Sequence, residues 1–289
     1  MPTILITGTS SGIGKATAKY FASQNWNVIA TMRKPELETE LTQIPNILVL
    51  ALDVTKFQSI TEAIQTGINK FGSIQAIVNN AGFAVAGPFE LATNEQISRQ
   101  FETNVNGVFD CTRAILPHFR ANKTGVIVNV SSMGGRTSFP YLSLYHGTKW
   151  AIDGFSESLS YELQPLGIKV KIIEPGAIKT DFYSRSLTST IDTNLTQDLV
   201  QIPVQNLTQT SSQNPYLKTY ILYKKFMDNL GNNGESADFV AKTIYKSVTD
   251  KSNKLRYTVG KDAKIFLFLR WLLPNKFLFA FNHWILKKL

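Results

Sequence analysis

Short runs of β-branched and aliphatic residues recur along this chain, and between them lie longer stretches whose apolar positions fall three and four apart. The runs predict strands at Thr3 to Thr7, Asn27 to Met32, Ile47 to Ala51, Ala76 to Asn79, Gly125 to Val130, Lys169 to Glu174 and Leu255 to Val259. The intervening periodicity predicts helices near Gly14 to Ser23, Phe57 to Phe71, Asn94 to His118, Tyr145 to Leu166 and Glu235 to Thr249. Alternation of this kind implies an α/β class: a doubly wound parallel sheet of about seven strands with helices on both faces. The strands are apolar on both sides, as burial on both sides requires. Such sheets bind ligands beyond the carboxyl ends of their strands, which is where chemistry is expected.

One span breaks the rhythm. From Ala177 to Gly234 the chain is rich in Ser, Thr, Asn and Gln, yet it carries Phe182, Tyr183, Tyr216, Tyr220, Tyr223 and Phe226. Connections of such length are uncommon unless they serve as lids or binding loops. The span reads as a substrate-covering insertion, helical around Tyr216 to Leu230, with a plain surface excursion as the alternative. The expected organisation is a catalytic domain over residues 1–260 that contains this insertion, followed by an apolar and basic helical tail over 261–289.

Composition narrows the picture. With 289 residues, 43% hydrophobic and 18% charged, the chain is a folded one. Cys111 is the single cysteine, which excludes a disulfide framework and a cysteine zinc site. His118, His146 and His283 are far apart and never in an HxxxH spacing, so no metal site is expected. A strand directly after Met1 leaves no room for a secretory signal, and the expected location is the cytoplasm.

The net charge of +9 is unevenly placed. From Lys254 onward Lys254, Arg256, Lys261, Lys264, Arg270, Lys276, Lys287 and Lys288 face one acid, Asp262, so this stretch carries most of the excess. Charge gathered in an aromatic tail does not suggest nucleic acid as a partner. Arg270, Pro274, Asn275 and Lys276 interrupt the apolar run too often for a spanning helix. Two readings stay open: a closing helix packed on the core or on a second subunit of a homo-oligomer, or a peripheral anchor whose cations meet anionic headgroups while Phe and Trp enter the interface.

After the first strand comes Thr7-Gly8-Thr9-Ser10-Ser11-Gly12-Ile13-Gly14 and then a helix. A glycine turn at a helix amino terminus lets backbone N–H groups and the helix dipole face a pyrophosphate. The spacing departs from GxGxxG, since the third place is Thr17. The same residues fit GxSxG, the elbow that exposes a nucleophilic serine in hydrolases, but that elbow needs several strands before it and only one precedes Ser10. Where the second strand ends, an acid would bind a ribose 2′-hydroxyl and a base would accommodate a 2′-phosphate. The sequence there is Thr31-Met32-Arg33-Lys34, so Arg33, helped by Ser10, predicts NADP(H) as the cofactor; Arg33 as a solvated surface cation is the alternative.

Tyr145 and Lys149 stand at i and i+4, on one helix face. Ser132 ends the fifth strand 13 residues earlier, and Asn104 lies in a helix 41 residues before Tyr145. A phenol near pKa 10 is a slow proton shuttle at neutrality, and bringing it to about 7 takes roughly 4 kcal/mol. One cation about 4 Å away at an effective dielectric near 20 supplies that order, so Lys149, aided by an oxidised nicotinamide ring, is expected to lower the tyrosine.

Taken in order, Thr7-Gly8-x-x-x-Gly12-x-Gly14, Asp53-Val54, Asn79-Asn80-Ala81-Gly82, Asn104, Ser132, Tyr145-x-x-x-Lys149 and Pro175-Gly176 resemble the short-chain dehydrogenase/reductase family over about residues 3–260, with a Rossmann-like fold. The Thr-Ser-Ser turn and the Ala30-Thr31-Met32-Arg33 ending look most like its hydroxysteroid and retinol dehydrogenase branch. The resemblance implies Tyr145 as the general acid/base, Ser132 as the group orienting the substrate oxygen, Lys149 as the cation that tunes the phenol and holds the nicotinamide ribose, and Asn104 as the holder of a water that links Lys149 to bulk. It implies cofactor contacts from Gly8, Ser10, Gly12, Ile13, Gly14 and Arg33. It further implies Asp53 and Val54 beside the adenine, Asn80 at the adenosine ribose, and Gly176, Ile178 and Thr180 toward the carboxamide and pyrophosphate.

Plainer roles compete at some positions: Asn79 as a brace of the sheet, Asp53 as the cap of the segment before the next helix, and Pro175-Gly176 as turn chemistry. The aromatic insertion, with Phe139, Tyr141 and Leu142 near Ser132, suggests a large hydrophobic alcohol or ketone of steroid, retinoid or fatty acyl type. The expected activity is hydride transfer between NADP(H) and that substrate; a catalytically silent NADP(H)-binding regulator is the alternative.

Overall fold

A computed structural model gives the architecture and describes residues 1–180, 186–191 and 215–288, with side chains as far as Trp284. Seven parallel strands form one sheet: β1 (Thr3–Thr7), β2 (Asn27–Met32), β3 (Ile47–Ala51), β4 (Ala76–Asn79), β5 (Gly125–Val130), β6 (Ile168–Pro175) and β7 (Arg256–Val259). Their order across the sheet is β7–β6–β5–β4–β1–β2–β3. β1 sits between β2 and β4, with Ile4 level with Val28 on one side and with Ala76 on the other. The chain reverses its direction of travel between these neighbours, and that switch opens the crevice a ligand needs.

The period of two explains the burial. Ile4, Ile6, Val28, Ala30 and Val128 face one layer, against α1 (Gly12–Ser23) and α7 (Ala237–Thr249) through Phe21, Val240 and Ile244. Leu5, Ile29, Ile77 and Ile127 face the other, against α2 (Phe57–Phe71), α4 (Gly107–Asn122) and α5 (Ser143–Leu163) through Ile64, Ile115 and Leu159. Each fully buried Ile, Leu, Val or Phe among them stabilises the fold by about 1.5–3 kcal/mol.

Two of the predicted helices are modified. The helix expected over Asn94 to His118 is two, α3 (Asn94–Phe101) and α4, joined by a π turn over Glu102–Asn106. Apolar periodicity does not register one widened turn, but π turns concentrate at functional sites, and this one carries Asn104. α4 runs on to Asn122 and stops where Lys123 adopts a left-handed φ of 52°. The helix expected from Glu235 starts at Ala237 instead, because Glu235 and Ser236 are extended and pair in parallel with Ile178 and Lys179. The Ser236 hydroxyl then accepts from the Phe239 N–H at 3.2 Å as the cap of α7.

Within the long connection, Leu187–Ser189 pairs with Ala84–Ala86, and α6 (Leu217–Asn232) supplies the expected helix. Phe182 and Tyr183 lie outside the described residues. The tail forms α8 (Lys261–Leu272) and α9 (Asn275–Lys288). Phe266 of α8 packs on Phe139, ring centroids 5.6 Å apart, and Asn282 of α9 donates to the Ser138 carbonyl at 3.2 Å. Among the described residues, no helix is long and apolar enough to cross a membrane.

Candidate active site

The loops that follow β1 to β6 surround a cavity of about 660 Å³ at the carboxyl ends of the strands, closed in part by α6 and the tail. Its size lies in the range of small-molecule sites, about 300–1,000 Å³.

The turn after β1 forms one end. Gly8 and Gly12 have φ of +71° and +54°, and a Cβ on Gly8 would lie 2.8 Å from the Cα of Ala81. A Cβ on Gly14 would meet the Gly8 carbonyl oxygen at 2.2 Å, so Gly14 lets helix and turn touch and does not itself line the cavity. Ser11 begins α1 in an extended conformation with no capping bond from its side chain. The first-turn N–H groups therefore have no capping partner there, and Gly8, Ser10, Gly12 and Ile13 border the cavity. This cradle fits a pyrophosphate. Asn80 also lines the cavity, and its amide donates to the carbonyls of Thr7 (2.9 Å) and Gly8 (3.0 Å), holding the turn in shape. Asn79 is a brace, its amide donating to Asn129 Oδ1 at 2.8 Å.

Farther along, Arg33 is exposed at the end of β2 and shares the cavity wall with Asp53 and Val54. Asp53 also shapes its own turn, accepting from the N–H and hydroxyl of Thr55 at 3.1 and 2.8 Å. Gly176, Ile178 and Thr180 line the wall after β6.

Ser132, Tyr145 and Lys149 converge on the same cavity. The serine hydroxyl hydrogen-bonds the Tyr145 phenol. Lys149 donates to the Val130 carbonyl at 2.8 Å and lies 5.6 Å from the centre of the tyrosine ring. Removal from water pushes the Tyr145 phenol up to about 12, against the downward pull of its Ser132 bond. Burial likewise brings the Lys149 amine down to about 8, opposed by the charge of Asp153. Loss of hydration is the leading cause of both shifts.

Asn104 is buried and does not line the cavity. Its carboxamide accepts from the Phe83 N–H (3.1 Å), donates to the Phe83 carbonyl (2.8 Å) and donates to the Thr148 hydroxyl (3.2 Å). It thus ties the loop after β4 to the helix that carries Tyr145 and Lys149.

Two positioning residues escaped the sequence reading. His146 bonds through Nδ1 to the Gly134 carbonyl at 2.9 Å, and its Nε2 accepts from the Phe139 N–H at 2.9 Å. Burial holds this imidazole down to about 4, against the upward effect of its Gly134 bond, so it stays neutral. Asp153, buried one turn beyond Lys149, bonds the Ser131 hydroxyl and Arg256 of β7. The signal was the pair Gly134-Gly135: a Cβ on the first would strike His146 Nδ1 at 2.7 Å, and one on the second would strike Asp153 Oδ1 at 2.6 Å.

Of the aromatic residues expected around a substrate, Tyr220, Tyr223, Phe226, Phe139 and Leu142 line the cavity. Tyr216 points outward to Glu90 at 2.7 Å, and Tyr141 packs behind the wall, 5.4 Å from the rings of both Tyr220 and Tyr223. Ser10 has no histidine partner. His118 accepts from the Ile74 N–H, His146 is engaged as above, and His283 bonds the Phe279 carbonyl, so a hydrolase triad is not assembled.

Comparison with known proteins agrees with this geometry. Residues 2–190 match the model of the short chain dehydrogenase family. The oxidoreductase YusZ of Bacillus subtilis, itself uncharacterized, is 38% identical over 281 residues, covering 93% of each chain. A 3-ketodihydrosphingosine reductase of Bacteroides thetaiotaomicron is 33% identical, covering 96% of this chain and 95% of its own. A short-chain dehydrogenase structure from Streptomyces avermitilis superposes with a TM-score of 0.79 at 29% identity, over 98% of this chain and 95% of that one. A 3-ketoacyl-(acyl-carrier-protein) reductase from Brucella melitensis in complex with NADH gives 0.70 at 27% identity, over 90% and 96%. ElxO with NADP bound gives 0.67 at 27% identity, over 89% and 97%.

Proposed function

The chain belongs to the short-chain dehydrogenase/reductase family and is an oxidoreductase of that family, and from this premise we propose that it transfers hydride between NADP(H) and the carbonyl or alcohol carbon of a hydrophobic substrate of steroid, retinoid or fatty acyl type. The observation that carries the reading is the convergence of Ser132, Tyr145 and Lys149 on one cavity with the glycine turn.

The nicotinamide, when bound, supplies or accepts the hydride. The chain's own groups handle the proton and the geometry. In reduction the Tyr145 phenol gives its proton to the substrate oxygen, and in oxidation it takes the proton back. A phenol held to about 12 is fully protonated at neutral pH, the state reduction needs. Ser132 donates to the same oxygen and fixes its position. Lys149 holds the nicotinamide ribose and places a positive charge beside the phenolate that forms. Asn104 acts through Thr148 and Phe83, keeping the Tyr145 helix in register with the loop after β4.

For the cofactor, Gly8, Ser10, Gly12, Ile13 and the first turn of α1 meet the pyrophosphate, with Gly14 allowing the close approach of turn and helix. Asp53, Val54 and Asn80 border the adenosine, and Gly176, Ile178 and Thr180 the carboxamide end. Arg33 favours the 2′-phosphate, since no acid stands at the end of β2. The hydrophobic substrate is supported by Phe139, Leu142, Tyr220, Tyr223 and Phe226 in the wall, and by a relative named for a keto lipid. The insertion then acts as a cover over the substrate. Turnover of a panel of hydrophobic ketones and alcohols with NADPH and NADH tests the reading; turnover confined to small polar sugars contradicts the substrate class, and a preference for NADH contradicts the cofactor.

A further inference from the structure

The two tail helices carry far more apolar surface than the body covers. α8 buries only Ala263 and Leu267, while Trp271 is 77% exposed, Phe279 59% and Phe268 57%. Contiguous exposed apolar surface of this kind marks an interaction site.

The charges identify the cover. Lys264, Arg270 and Lys276 are interleaved with these aromatic side chains, and no acidic residue occurs between Ala263 and Trp284. A second copy docking the same face on itself would bring like charges together in a two-fold contact. An anionic bilayer neutralises them, while Trp and Phe occupy the interface between headgroup and acyl chain. The same pair of helices also forms part of the cavity wall, through Phe266 and Phe281, whose rings stand 6.1 Å apart.

We propose that α8 and α9 dock the protein on the surface of an anionic phospholipid bilayer, without crossing it, and set the substrate cavity beside the lipid. A hydrophobic substrate dissolved in the bilayer then passes the Phe266 and Phe281 wall without entering bulk water. That last step rests on the function proposed above; the docking does not, and vesicle binding is read without turnover.

The test is flotation of the full chain with vesicles of phosphatidylcholine, with and without phosphatidylserine. One variant replaces aromatic residues outside the cavity wall (Phe268→Ser, Trp271→Ser, Phe279→Ser), and a second replaces the cations (Lys264→Gln, Arg270→Gln, Lys276→Gln). The wild type is expected to float with the anionic vesicles and about tenfold less with the neutral ones. Both variants are expected to lose at least about tenfold of the binding while keeping the far-ultraviolet circular dichroism of the wild type. Failure of the wild type to float, or equal flotation of the aromatic variant, overturns the proposal. So does a wild-type dimer in light scattering that the aromatic variant converts to monomer without vesicle binding by either. The cation variant alone decides the electrostatic part if the aromatic one does not fold.

Discussion

The Asn104 carboxamide donates to the Thr148 hydroxyl at 3.2 Å, joining a π turn between two helices to the residue beside Lys149. The same carboxamide satisfies both backbone groups of Phe83. Asn104→Ala leaves buried polar atoms without these bonds, and a buried unsatisfied group costs about 1–3 kcal/mol. Thermal unfolding should show that loss together with a fall in kcat, whereas Asn104→Asp, which keeps an acceptor for the Phe83 N–H, should recover part of the stability. Unchanged stability and turnover in Asn104→Ala would remove its positioning role.

His146 should make stability depend on pH. Its folded pKa of about 4 lies below the usual 6.5, so its contribution is complete above about 6.5 and is lost as pH falls toward 4. The shift corresponds to something on the order of 3 kcal/mol. Denaturant unfolding between pH 7.5 and 4.5 should show a decline that His146→Gln flattens. Parallel slopes for the two proteins would assign the acid sensitivity elsewhere.

On the proposed mechanism Lys149 should set the alkaline limit of reduction. Its amine, brought to about 8 by burial, is charged below that pH and neutral above it, and the phenolate left by proton transfer then loses its neighbouring cation. The kcat/KM for reduction should fall as pH rises through about 8. Lys149→Arg, which stays protonated, should be slower but level to higher pH. A wild-type profile flat from pH 6.5 to 9.5 would exclude this role.

The proposed preference for NADP(H) rests on Arg33. A hydrogen bond to a charged group contributes about 1.5–3 kcal/mol, so Arg33→Ala should raise the KM for NADPH by about tenfold to a hundredfold while sparing NADH. Equal changes for both coenzymes would leave Arg33 a surface cation.

The seven strands were legible because β-branched runs buried on both faces have few other uses, and Ile4, Leu5 and Ile6 divide between the two cores as the period of two requires. The i, i+4 spacing of Tyr145 and Lys149 put both on one helix face, and both line the cavity with Ser132, whereas Asn104 rested on the family resemblance and lies behind the wall. What spacing does not carry is direction. Tyr141 and Tyr216 match the wall-forming aromatic residues in type, yet one turns behind the wall and the other toward Glu90. His146 and Asp153 act through bonds to the loop just before their own helix, which apolar periodicity does not register, and the structure shows why Gly134 and Gly135 stand where a Cβ would strike them.

The central claim is that the Tyr145 phenol delivers the proton. The most direct test is the turnover of a hydrophobic ketone with NADPH by Tyr145→Phe, alongside the affinity of that variant for NADPH. Turnover reduced by at least about a hundredfold with coenzyme affinity within a few-fold of wild type is the predicted result; turnover near that of the wild type would contradict it.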